Sequence, residues 1–187
     1  MKYGLKISCL VLLLLVFQLS LLAQPRPEKW AQPVKSIHIE NFYQIDDEFF
    51  RSGNPSKEAF LELESLEIME VINLQTYHSD DDEAEGSNVT LYRVKMNAHR
   101  ITVDDVVEVL RLVRNRKGKI LVHCKHGSDR TGLIGAMYRI VFQEWSKEDA
   151  TDELINGGYG HHRIFRNIPK FIKKADIPRI KEAVMRP

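Results

Sequence analysis

The sequence predicts an α/β domain, with a small central, mostly parallel sheet flanked by helices. Three observations lead there. Short apolar runs of strand length alternate with segments of helical period along most of the chain. The composition is that of an ordinary globular protein, with 187 residues of which 43% are hydrophobic and 28% charged, enough for one domain with a real core. No internal repeat and no low-complexity tract competes with that reading.

The elements follow in order. Residues 24–35 hold Pro25, Pro27 and Pro33 and read as an extended linker, so the domain is taken as residues 36–187. Between Ile37 and Phe50 apolar and polar residues alternate, which predicts one or two short strands. Arg51-Ser52-Gly53-Asn54-Pro55 reads as a turn. Ser56 is a capping residue for a helix whose apolar stripe is Ala59, Phe60, Leu63 and Leu66. Met69 to Leu74 predicts a buried strand. Residues 79–88, acidic and polar, read as a solvated loop or short surface helix, and Val89 to Met96 as another strand.

Thr102 opens a second helix, with Asp105 in a capping-box position and Val106, Val109, Leu110 and Val113 on its core face. Lys119 to His123 is a short strand, and a polar loop runs from Cys124 to Arg130. A helix starts near Thr131, carrying Ile134, Met137, Tyr138 and Val141. A further helix covers Lys147 to Asn156 and is broken by Gly157-Gly158-Tyr159-Gly160. The remainder reads as helical, interrupted at Pro169 and Pro178.

The N-terminus belongs to a different class of segment. Lys2 and Lys6 precede an apolar run from Ser8 to Leu22, and Ala23 offers a small residue for cleavage. This reads as a signal peptide over residues 1–23, placing the remainder in the periplasm or outside the cell. An uncleaved membrane anchor is the alternative, for which the run is short. Cleavage removes two lysines and no acid, which turns the net charge of +1 into −1. That balance excludes a general nucleic-acid binder. Cleavage also removes Cys9, leaving Cys124 as the single thiol, with no internal disulfide partner.

The stretch around that thiol carries the chemistry. It reads Ile120-Leu121-Val122-His123-Cys124-Lys125-His126-Gly127-Ser128-Asp129-Arg130-Thr131-Gly132. A strand ends, seven residues intervene, and a helix begins. The helix N-terminus offers N–H groups without intrahelical partners, and a curled loop adds its own. Together they form a cradle for a tetrahedral anion, reinforced by the helix dipole. The same field favours Cys124 as a thiolate. Arg130 carries a planar fork that holds two phosphate oxygens at once. Gly127 permits a conformation other residues resist. His123 is expected to hold the loop, and Thr131 to donate its hydroxyl to the cysteine sulfur. Lys125, His126, Gly127 and Ser128 complete the expected phosphate-binding set.

His123-Cys124-x5-Arg130-Thr131-Gly132 resembles the signature loop of cysteine-based protein-tyrosine and dual-specificity phosphatases. The element order from about Ser36 to Asn156 resembles the small dual-specificity type, secreted bacterial members in particular. The resemblance implies a two-step reaction: Cys124 attacks phosphorus, and water then hydrolyses the phosphocysteine, with no metal and no cofactor. It implies a phosphorylated protein, or a small phosphomonoester, as substrate.

The family usually supplies an aspartate as general acid from a loop before the signature. The corresponding loop here, Met96-Asn97-Ala98-His99-Arg100-Ile101, has none. Asp129 is the preferred substitute, since it lies within the signature as in myotubularin-type lipid phosphatases. Asp104, Asp105 and His99 are the alternatives, the two aspartates reading more simply as first-turn helix acids.

Lys125 and His126 would rim the pocket and favour a highly anionic substrate, which keeps inositol phosphates, phospholipids and sugar phosphates open. Arg51 reads first as a structural ion-pair residue, and second as a side chain approaching the site. His161 and His162 are placed to line a groove but lack an evident third metal ligand. Arg163, Arg166, Lys170, Lys173 and Lys174 read as a solvated face. A sulfurtransferase and a non-catalytic phosphate-binding module are the competing functions.

Overall fold

The computed structural model describes residues 25–186. The signal-peptide reading of residues 1–23 lies outside them. Among the described residues, no helix is long and apolar enough to cross a membrane.

The strands are β1 (Gln32–Pro33), β2 (Tyr43–Gln44), β3 (Phe49–Ser52), β4 (Ile68–Asn73), β5 (Thr90–Arg93) and β6 (Lys119–His123). They form one sheet in the order β1-β2-β3-β6-β4-β5. The β1–β2 and β2–β3 pairs are antiparallel, and β3, β6, β4 and β5 run parallel. The α/β reading with a mostly parallel sheet is what the chain adopts.

The helices among the described residues are α1 (Lys57–Ser65), α2 (Val103–Arg114), α3 (Arg130–Phe142), α4 (Lys147–Asn156), α5 (Asn167–Lys174) and α6 (Ile177–Met185). The central strand β6 is buried on both faces, which explains its unbroken apolar run. Its side chains divide by the two-residue period of a strand. Ile120 and Val122 join the core beneath α2 to α6, while Leu121 joins the core under α1. Phe49 and Phe50 of β3 split the same way.

Local chemistry sets the helix starts. Ser56 Oγ accepts from the Ala59 N–H, and Ser146 Oγ from that of Asp149. Thr102 and Asp105 form the expected reciprocal capping box. Helices α3 and α5 differ: Asp129 and Arg166 occupy their N-cap positions but make no side-chain cap bond.

Four expectations need correction. Residues 25–35 are not an extended linker. Ala31 is buried in the main core, β1 joins the sheet, and Arg26 donates to the Ala31 and Gly157 carbonyls and to the Tyr159 hydroxyl. Prolines suggested an extended chain there, but an extended chain is also what a sheet edge accepts. Arg51 and Ser52 are not in a turn but end β3, both buried. The acidic segment 79–88 is turns, as a loop reading requires, yet Asp80 within it is 4% exposed. Pro169 and Pro178 do not interrupt helices. They sit in the first turns of α5 and α6, where no intrahelical N–H is lost.

If the segment around Arg26 is part of the fold, Arg26→Ala should destabilise the protein by about 1–3 kcal/mol in urea unfolding, because buried acceptors lose their donor. An unchanged midpoint would return it to the status of a linker.

Candidate active site

Three parallel strands end side by side, and the site forms beyond their carboxyl ends, as is general for open α/β sheets. β6 runs into the loop that starts at Cys124. β4 and β3 flank it, and their continuations brace it. The Leu74 N–H donates to the His123 carbonyl at 2.9 Å, and the Asn54 N–H to that of Lys125 at 3.3 Å.

The loop's carbonyls are turned outward onto the scaffold. The His126 carbonyl accepts from Asn41 Nδ2 at 2.8 Å, and the Gly127 carbonyl accepts from Arg51 Nη2. In a planar trans peptide the N–H points opposite to the C=O. Outward carbonyls at Lys125, His126 and Gly127 therefore aim the N–H groups of His126, Gly127 and Ser128 inward. The first helical bond of α3 runs from the Leu133 N–H to the Asp129 carbonyl, which leaves the N–H groups of Arg130, Thr131 and Gly132 without helical acceptors. The sequence-derived anion cradle thus has its donors.

Gly127 is indispensable to this loop. It has φ +71°, and a Cβ there would stand 2.6 Å from the backbone of Ser52 and Gly53. Behind it, Arg51 is 2% exposed, with its guanidinium carbon 3.6 Å from the centre of the Tyr159 ring. Burial pulls its pKa below the usual arginine value, opposed by nearby Tyr159, Glu153 and Cys124. It makes no ion pair with a carboxylate among the described residues. Arg51 is therefore a loop anchor and a buried cation near Cys124, the second of its two sequence readings and not the ion-pair residue expected first.

At the end of β6, His123 is fixed by a partner the sequence hid. It is fully buried, and its Nε2 lies 2.8 Å from Asp80 Oδ2. Asp80 Oδ1 accepts from Asn73 Nδ2 at 2.8 Å. His78, Asp80 and Glu83 are the one trio with metal-ligand chemistry among the described residues, but both Asp80 oxygens are already engaged here. Thr131 departs from expectation: its hydroxyl is buried and makes no hydrogen bond, to the cysteine sulfur or elsewhere.

Cys124 and Arg130 open into one cavity of about 270 Å³. Cys124 is 3% exposed. Arg130 Nη1 is fixed by the carbonyls of Leu74 and Met96 at 3.1 and 3.4 Å. Lys125 and His126 are exposed and line the same cavity, whereas Gly127 and Ser128 are buried. Ser128 Oγ turns back to the His126 carbonyl at 3.3 Å. Ala98, Ile164 and Phe165 supply apolar wall.

Asp129 also lines the cavity, but both its oxygens are taken. Oδ1 accepts from the His162 N–H at 3.0 Å, and Oδ2 contacts His162 Nδ1 at 2.7 Å. His161 Nδ1 comes within 2.9 Å of Oδ1, outside hydrogen-bond geometry. The remaining acid candidates are not among the residues that line this cavity. Asp105 Oδ2 is occupied by the Thr102 N–H, and Asp104 lies in a separate groove of about 960 Å³ between α2, α5 and α6. That groove also holds Lys170 and Lys174. His99 is exposed and packs against Phe165, with ring centroids 4.9 Å apart.

Residues 36–184 match the model of the Tyrosine phosphatase family. The chain belongs to that family. It is a cysteine-based phosphatase, similar to the dual specificity protein phosphatase TpbA of Pseudomonas aeruginosa, with 36% identity over 167 residues, covering 87% of this chain and 74% of that one. Inositol diphosphatase DSP3 of Arabidopsis thaliana is 32% identical over 125 residues, 60% of each chain. Among solved structures, a cysteine-to-serine variant of P. aeruginosa TpbA in complex with pTyr superposes with TM-score 0.79 at 30% identity, covering 87% of this chain and all of that one. The catalytic core of the Saccharomyces cerevisiae PP-IP phosphatase SIW14 gives 0.67 at 27% identity, over 79% and 93%.

In this phosphatase, Arg51→Met keeps the stem and removes both the cation and the Gly127 bond. Aryl phosphate turnover should fall roughly 10- to 100-fold, the equivalent of losing about 1–3 kcal/mol of loop positioning. Alkylation of Cys124 by iodoacetamide at neutral pH should slow in parallel. Wild-type rates in both assays would remove Arg51 from the site.

Proposed function

We propose that this enzyme dephosphorylates phosphotyrosine in proteins outside the cytoplasm, with Cys124 as nucleophile and Arg130 as phosphate clamp. The observation that carries the substrate reading is the composition of the cavity. A cysteine and an arginine share it with an apolar wall of Ala98, Ile164 and Phe165, which suits an aromatic ring bearing phosphate. The pTyr complex of the similar TpbA variant supports the same class. The basic and apolar N-terminal segment supports export.

In the proposed chemistry, inward N–H groups of the loop and the Arg130 fork hold the non-bridging phosphate oxygens. Their fixed dipoles stabilise the charge of the transition state without reorganising. The Cys124 thiolate attacks phosphorus, the S–P bond forms, and the bond to the leaving oxygen breaks. Water then attacks phosphorus and the S–P bond breaks, releasing inorganic phosphate and restoring the thiolate.

A second reading is dephosphorylation of inositol phosphates. The exposed Lys125 and His126 on the cavity favour a densely anionic substrate, and an Arabidopsis inositol diphosphatase is among the similar proteins.

Hydrolysis of a phosphotyrosine peptide should be spared by chelator, abolished by Cys124→Ser, and lowered at least 100-fold by Arg130→Lys, which cannot reproduce the bidentate fork. Inositol diphosphates assayed alongside decide between the two substrate classes by kcat/KM. Turnover that survives Cys124→Ser would overturn the phosphocysteine mechanism.

A further inference from the structure

The leaving oxygen needs a proton, and the loop that usually supplies an aspartate has Asn97-Ala98-His99 in its place. Asp129 has both oxygens engaged by the residue that faces it, His162. We propose that His162 is the general acid and base of this phosphatase, with Asp129 as its positioning residue.

The geometry is that of a carboxylate–imidazole dyad. One residue grips Asp129 twice, through its backbone N–H at 3.0 Å and its ring Nδ1 at 2.7 Å, which fixes the ring's orientation. A proton on Nδ1 directed at the carboxylate fixes the tautomer and leaves Nε2 as the exchanging nitrogen. Nε2 has no protein partner among the described residues. The side chain is 47% exposed and lines the same cavity as Cys124 and Arg130. Gly158 and Gly160, at φ +76° and +75°, turn the chain back so that this residue reaches the loop.

The proton balance closes on this one ring. In the first step Cys124 sulfur bonds to phosphorus, the bond to the leaving oxygen breaks, and Nε2–H passes its proton to that oxygen. In the second, Nε2 takes a proton from the attacking water as its oxygen bonds to phosphorus and the S–P bond breaks. The imidazolium is regenerated.

The titratable groups around His162 are Asp129 and His161 against its Nδ1 side, His126 with ring centroids 5.4 Å away, and Lys125, Arg130 and Cys124 on the cavity. Phe165 packs edge-on at 6.3 Å, adding no charge.

The inference rests on the phosphocysteine reading, and the test separates the two. In the full-length protein, His162→Gln should lower kcat/KM for phenyl phosphate, a poor leaving group, by about 100-fold or more, in the range of a placed acid. It should lower it less than tenfold for a fluorinated umbelliferyl phosphate, whose leaving group needs no proton. The alkaline limb of the phenyl phosphate pH profile should disappear. Asp129→Asn should produce the same selectivity for leaving group with a smaller loss. A stoichiometric burst with the activated ester shows the variants folded and Cys124 competent. Equal losses on both substrates, no loss on phenyl phosphate, or a persisting alkaline limb would overturn the assignment of His162. Turnover in Cys124→Ser would instead overturn the phosphocysteine chemistry beneath it.

Discussion

A buried guanidinium under the signature loop is the contact on which the rest of the site depends. Arg51 sits at the end of β3, flat against Tyr159, and holds the Gly127 carbonyl from behind. A buried cation with no carboxylate bonded to it is costly. The cost is offset by the Tyr159 ring face, by the field of Glu153, and by the proximity of Cys124. A cation with no carboxylate bonded to it is useful to an enzyme that must carry a thiolate and then bind a phosphate dianion beside it. Tyr159 is itself held by Glu153, which also pairs with the buried Arg139 and accepts from the Ala31 N–H. The N-terminal segment, α3, α4 and the glycine-rich turn after it therefore meet at one polar hub behind the loop.

The loop's second constraint is where its backbone polar groups go. Each outward carbonyl has a donor on a different element, from Asn41, Arg51 and Asn54. Satisfying those acceptors is what leaves the amides facing inward. Helix α3 adds to the effect by lacking a side-chain cap, in contrast to α1, α2 and α4. A cap bond to its N–H groups would compete for the donors an anion needs. Asp129 stands at the N-cap position but spends both oxygens on His162.

Much of this was legible in the residues. The strand–loop–helix pattern around Cys124 is local, and so are the capping box at Thr102, the apolar run of β6 and the requirement for glycine at 127. Helix α4 falls at Lys147–Asn156 as its periodicity and the following glycines indicate. Three of the misreadings share one cause. Ala31, Asp80 and Arg51 each look like surface residues among their chain neighbours, and each is buried by elements distant in sequence. Asp80 lies 43 residues from His123, and Arg51 lies 76 residues from Gly127.

By itself, then, the sequence determined the chemistry: a thiol, a planar cation and a row of backbone donors between a strand and a helix, which periodicity and local turn geometry are enough to bring together. Only the tertiary structure decided how that loop is held and what else reaches it. The Asp129–His162 pair spans 33 residues and depends on a glycine turn folding back over the loop. Contacts between segments so far apart leave no spacing in the chain. They arise only when packing brings the segments to the same end of the sheet.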